Sequence, residues 1–216
     1  MKDISLASSV VEDDILSLSE KTINTLKNIS GSQIVVTGAS GFLASSLVLY
    51  IAYISKIYNL DINVRALARN RNRFISRLDQ RFSGLLKKEI DVEIYEASSC
   101  LTTKQGCDYF VHAASNANPM SFANDPYGTA LANTMGTVNA IKYAEANSTK
   151  GFLLFSTSGV YGHQEQDKYP LTEDDYGYLD PTKPENIYLV SKKASECILS
   201  TSKNKSRSED TRLNSS

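Results

Sequence analysis

Five short apolar runs alternate with longer helical patterns along most of this chain, and that alternation leaves few folds open. The runs cover residues 33–37, 62–68, 92–95, 109–113 and 152–156; helical patterns fall at about 42–58, 71–88, 125–147 and 184–201. Strands separated by helices cannot close as hairpins. Each must return through a crossover, which lays the strands parallel and puts helices on both faces of one sheet. The expected fold class is therefore α/β, a doubly wound parallel sheet. Residues 1–30 precede this pattern, and apolar positions at Ile15, Leu18, Ile23, Leu26 and Ile29 predict an amphipathic helical extension that packs on another part of the structure, ahead of a sheet domain at residues 31–201. After Leu199 the chain reads STSKNKSRSEDTRLNSS, without an apolar period or an aromatic ring, so 202–216 is expected to be a disordered tail.

Composition removes several function classes. With 216 residues, 23 basic and 24 acidic side chains, the net charge is -1. No long-range field gathers a phosphate backbone, so nucleic acid is not expected as a partner. The most apolar stretch, Phe42 to Ser55, is shorter than the roughly 20 residues a membrane span needs and carries serines, so it reads as a buried helix and no membrane partner is expected. The start, MKDISLASSVVEDD, lacks the basic flank and apolar run of a secretory signal, and a cytoplasmic location follows as an expectation. Cys100, Cys107 and Cys197 form no CxxC pair, and the two histidines stand apart from them, so neither a disulfide scaffold nor a metal site is expected.

The chemistry concentrates at the ends of the predicted strands. IVVT runs into Gly38-Ala39-Ser40-Gly41-Phe42-Leu43-Ala44 and then into an apolar helix. Gly38 allows a tight turn, Gly41 lets backbone N–H groups approach a pyrophosphate, and the small Ala44 permits close helix–sheet packing. A dinucleotide would sit on that helix N-terminus. The second strand ends at Ala68-Arg69-Asn70-Arg71 where an acid usually receives the ribose of NAD. Arg69 suits the 2′-phosphate of NADP or simply solvates the next helix, so both cofactors stay open. Tyr188 and Lys192 stand at i and i+4 on one helix face, where an ammonium can lower a phenol's pKa and make it a base toward a substrate hydroxyl. His112 reads as a structural imidazole beside the cofactor loop and His163 as a solvated one.

The motifs TGASGFLA at 37–44, HAAS at 112–115, NTMGT at 133–137, STSGVYG at 156–162 and YLVSK at 188–192 resemble, in order and spacing, the NAD-dependent epimerase/dehydratase family of the extended short-chain dehydrogenases/reductases, which act on nucleotide sugars. The resemblance implies a Rossmann domain with Gly38, Gly41, Phe42 and Leu43 around the cofactor pyrophosphate and Ala113, Ala114 and Ser115 along its path. It implies that Asn133 supports the neighbouring helix and that Thr157, assisted by Ser158, binds the sugar hydroxyl. Tyr188 becomes the base and Lys192 its electrostatic partner and ribose ligand. The implied cofactor is NAD, or NADP through Arg69. A nucleotide-sugar substrate, a role in polysaccharide precursor synthesis and a homodimer built through 125–147 and 184–201 are implied as well.

The resemblance also sorts the reactions. Dehydratases of the family carry Asp-Glu after the Thr, and UDP-glucuronate decarboxylases, which EDDYGYLDPTKPENIY also resembles, carry Glu where this chain has Gly159. A 4-epimerase needs only the Thr, Tyr and Lys, because hydride leaves and returns without elimination; it is the favoured expectation, with decarboxylase and 4,6-dehydratase as alternatives. Family members continue past the YxxxK helix with another strand and a substrate segment. A C-terminally truncated chain with strand 152–156 at an exposed edge, or an inactive cofactor-binding remnant, is therefore a further expectation.

Overall fold

The computed structural model describes residues 6–82, 90–102, 106–165 and 170–202. In chain order it forms α1 (Leu6–Asn28), β1 (Gln33–Thr37), α2 (Phe42–Ile57), β2 (Asn63–Ala68), α3 (Arg71–Phe82), β3 (Ile90–Ile94), β4 (Tyr109–His112), α4 (Pro119–Asn124), α5 (Pro126–Ala146), β5 (Gly151–Leu154) and α6 (Ile187–Ser202). The five strands lie in the order β3-β2-β1-β4-β5, every pair parallel. This is the doubly wound sheet that the alternating pattern requires. Its winding reverses between β1 and β4, and in such sheets ligands settle in the crevice beyond the strand ends at that reversal.

Strand formation follows from burial on both faces. Val35 and Val36 on β1 and Val64, Ala66 and Leu67 on β2 are enclosed, as continuous apolar strands of a covered parallel sheet must be. One face is covered by α1, α2 and α3, where Val48, Leu49, Ile54 and Phe74 meet β1 and β2. The other lies under α5, with Phe110, Ala140 and Tyr143. Each fully buried side chain of this size contributes roughly 1.5–3 kcal/mol. The stretch from Phe42 to Ser55 is indeed a core helix, and among the described residues no helix is long and apolar enough to cross a membrane.

The amphipathic helix α1 lies on α2 and α3 through Ile15 and Leu26. Two hydroxyl pairs add direction: Ser19 with Tyr58 and Thr22 with Tyr50. Helix α5 begins where Asp125 accepts from the Gly128 N–H at 2.9 Å with Pro126 in the first turn, a sequence-legible start. The short α4 was not expected. The helix predicted over 71–88 runs from Arg71 to Phe82, and its remaining positions lie outside the described residues, as does the tail after Ser202. Arg65, expected only as part of a strand, is 5% exposed inside the sheet and meets Glu93 at 3.4 Å and the Tyr143 hydroxyl at 3.3 Å.

Gly38 is a tight point beside the crevice. Its φ of +66° is left-handed, and a Cβ there would stand 2.6 Å from the Ala113 carbonyl oxygen, a backbone atom with nowhere to go. Gly38→Ala is expected to cost at least about 1–2 kcal/mol for the backbone conformation alone, with the steric conflict added. Thermal unfolding of the variant beside the parent chain measures it; an unchanged midpoint contradicts this account of the turn.

Candidate active site

The predicted functional residues gather at the carboxyl ends of the strands, each delivered by a different connection. Gly38, Gly41, Phe42 and Leu43 form the turn between β1 and α2. Gly41 caps α2 without a side chain, no acid occupies the first turn, and Phe42 and Leu43 are exposed at the crevice mouth. The N–H groups of that first turn stand at the positive end of the helix dipole. Ala113, Ala114 and Ser115 follow β4 immediately. Arg69 follows β2 and reaches across to Asn116, Nη2 to Oδ1 3.3 Å, from an exposed position.

One hydroxyl joins the first two of these loops. Thr37 Oγ1 accepts from the N–H groups of Ala113 at 3.2 Å and Ala114 at 3.3 Å, so both lone pairs are used. Its own proton is then directed to His112 Nδ1 at 2.8 Å, which assigns the imidazole proton to Nε2. His112 is 1% exposed, and Nε2 has no hydrogen-bond partner among the described residues. Burial first, and the Lys192 charge second, hold its pKa down at about 3. His112 is thus a neutral structural imidazole at working pH.

The other side of the crevice is built by β5 and α6. Thr157 caps a 3₁₀ turn, Ser158–Tyr161, accepting from the Gly159 N–H at 3.3 Å. The hydroxyls of Thr157 and Ser115 stand beside the Tyr188 phenol and act on its pKa, while Phe122 of α4 stacks on its ring at 5.3 Å. Ser158 is exposed. Tyr188 itself is fixed through α6. Ser115 Oγ donates to Asn133 Oδ1 at 2.7 Å, Asn133 Nδ2 donates to Ser191 Oγ at 2.8 Å, and Ser191 Oγ donates to the Tyr188 carbonyl at 2.9 Å. Asn133 supports the helix beside the site, as the motif order implies.

Electrostatics depart from the expected pattern. The Tyr188 phenol is raised above its ordinary value, chiefly by burial, with the Thr157 and Ser115 hydroxyls pulling it partly back. Lys192 is not among the groups that shift it. The ammonium instead donates to the Phe155 carbonyl at 2.7 Å, and burial lowers its pKa to about 8. Helical spacing put the two side chains on one face, but the lysine's four-carbon stem carries its charge past the phenol to the strand end.

Position 159 is acid-free, and a side chain there would have to displace Leu189. A Cβ on Gly159 would run into Leu189 Cδ2, so the Leu189 side chain fills the space an acid there would need. Phe122, the Thr37–His112 pair and the hydrogen-bond partners of Asn133 escaped the sequence reading because each joins residues far apart in the chain.

Comparison with known proteins gives these positions a context. The model of the NAD dependent epimerase/dehydratase family matches residues 34–209. UDP-glucuronic acid decarboxylase 6 of Arabidopsis thaliana is 28% identical over 176 residues, covering 79% of this chain and 46% of that protein. Among solved structures, the epimerase Mth375 of Methanothermobacter thermautotrophicus superposes with a TM-score of 0.68 at 18% identity, covering 90% of this chain and 54% of that one. The UDP-Glc/GlcNAc 4-epimerase of Campylobacter jejuni gives 0.60 at 20% identity, covering 81% and 50%. The chain spans about half the length of the proteins it matches.

His112 makes stability depend on acid in a calculable direction. Its folded pKa of about 3 lies below the ordinary 6.5, so the unfolded chain takes up the proton first. Its contribution is complete above pH 6.5 and is lost progressively as pH falls toward 3. Unfolding free energies measured between pH 7 and pH 4 are expected to fall more steeply for the parent than for His112→Asn; parallel slopes contradict the assignment.

Proposed function

Because the chain belongs to the NAD dependent epimerase/dehydratase family, we propose that it carries the cofactor-binding and proton-transfer part of a nucleotide-sugar oxidoreductase that forms a 4-keto intermediate and serves 4-epimerisation. The observation that carries this reading is the meeting of the Thr157 and Ser115 hydroxyls on the Tyr188 phenol, at the strand ends beside the Gly38 cradle.

The residues present fit a nicotinamide dinucleotide. Gly38 lets the turn after β1 close on the Ala113 backbone, the first turn of α2 carries no competing acid, and Lys192 Nζ uses one of its three protons on Phe155. When bound, the dinucleotide supplies the hydride acceptor. Gly38, Gly41, Phe42 and Leu43 would hold its pyrophosphate, with Ala113, Ala114 and Ser115 beside them. Lys192 would take the nicotinamide ribose, and Arg69 a 2′-phosphate if the cofactor is NADP.

Thr157 would orient the sugar hydroxyl through its own hydroxyl, which both donates and accepts. Tyr188 would take the proton as hydride departs. The phenol's raised pKa keeps it protonated near neutrality, so proton uptake by Tyr188 strengthens as pH rises. Elimination would need a second acid near the sugar, and Gly159 under Leu189 supplies none, which supports epimerisation over dehydration. Decarboxylation of a UDP-uronate is the second reading, supported by the Arabidopsis relative. Exposed Tyr127, Leu131 and Met135, spaced i, i+4, i+8 on α5, support a homodimer through that helix.

Incubation with UDP-glucose and NAD, followed by NMR of the sugar, is expected to yield UDP-galactose; carbon dioxide from UDP-glucuronate favours the second reading instead. Tyr188→Phe is expected to lower kcat by on the order of 10²–10⁴ while leaving dinucleotide affinity within a few-fold. Turnover undiminished by that substitution removes Tyr188 from the mechanism.

A further inference from the structure

Helix α6 grips the exit of β5 twice. Lys192 Nζ donates to the Phe155 carbonyl at 2.7 Å, and one helical turn later Glu196 Oε1 accepts from Ser156 Oγ at 2.5 Å. The two gripped residues are consecutive, and the next in the chain is Thr157, whose hydroxyl meets Tyr188. Tyr188, Lys192 and Glu196 therefore form an i, i+4, i+8 ladder on one face of α6, with the strand exit laid along it.

This ladder solves two problems that a buried lysine creates. Lys192 is 3% exposed, and an ammonium taken out of water needs both hydrogen-bond acceptors and a nearby negative charge. The carbonyl of Phe155 answers the first need. Glu196 answers the second: its charge opposes the effect of burial on Lys192. His112 on β4, which the Lys192 charge also reaches, is neutral and offers no counter-charge.

We infer that Glu196 is a positioning residue of this site: its carboxylate holds Ser156 and balances the Lys192 ammonium, so that Thr157 and a charged Lys192 are presented together beside Tyr188. The inference rests on the reading of Thr157, Tyr188 and Lys192 given above, to which it adds a residue that touches neither substrate nor cofactor. Glu196→Gln isolates the charge, because the amide still accepts from Ser156. Ser156→Ala isolates the hydrogen bond, because the carboxylate remains but is no longer held.

The test is an NMR titration of the full chain labelled with ¹³Cε-lysine, with the Lys192 signal identified by its loss in Lys192→Arg. In the parent, Lys192 is expected to titrate near pH 8. In Glu196→Gln the midpoint is expected to fall by roughly half a unit or more, and in Ser156→Ala by less, with the far lysines unmoved in both. An unshifted Lys192 in Glu196→Gln overturns the inference; should that variant fail to fold, an unshifted Lys192 in Ser156→Ala does so. NADH fluorescence measured over the same pH range is expected to show affinity lost at a correspondingly lower pH in Glu196→Gln, a response that loosened packing alone does not produce. If the parent binds no dinucleotide, the functional reading fails, and the lysine titration still decides whether Glu196 governs Lys192.

Discussion

The carboxyl edge of the sheet depends on how β1 and β4 part company. They run side by side as far as Thr37 and His112, then turn to helices on opposite faces, and the gap so opened is the crevice. At that point the Thr37 hydroxyl satisfies two N–H groups of the opposing loop and orients the buried imidazole, while Gly38 lets the backbones touch. The two loops behave as one body, because separating them strands several buried polar groups at about 1–3 kcal/mol each.

A second network starts from the same loop and reaches the other side of the crevice. Ser115, Asn133, Ser191 and the Tyr188 carbonyl form a hydrogen-bonded chain from the loop after β4, through α5, into α6, and Ser195 adds a bond to the Asn133 carbonyl at 2.7 Å. Small polar side chains suit this work because they are satisfied in fixed geometries and leave little room for alternatives. Tyr188 is consequently held from its main chain as well as from its ring. The phenol's position therefore owes as much to α5 as to its own helix, and that explains why Asn133 is buried at 1% exposure without touching the reacting end.

Much of this was legible in the sequence, for reasons that differ by residue. Apolar runs located all five strands, since a covered parallel sheet demands them, and the helical pattern over 125–147 located α5. The last strand is shorter than its apolar run: the Phe155 N–H still bonds the His112 carbonyl, but the Phe155 carbonyl turns to Lys192 and the Ser156 hydroxyl to Glu196. Helix α4 has six residues, too few for a period to register, yet it brings Phe122 onto Tyr188. Motif order found Thr157, Tyr188 and Lys192, but not the direction of the phenol's pKa, which depends on enclosure and on where a flexible stem ends. Glu196 lay in plain view at the next i+4 position; only its distant partner Ser156 gives it meaning.

The last strand in the order, β5, has one hydrogen-bonded neighbour, and its four residues are all half-covered. Its outer row of amide and carbonyl groups is therefore a template awaiting an extended segment. Among the described residues none occupies that place. In concentrated solution the same margin invites self-association, so the handling of this polypeptide in the test tube is governed less by its overall charge than by the company that one strand keeps.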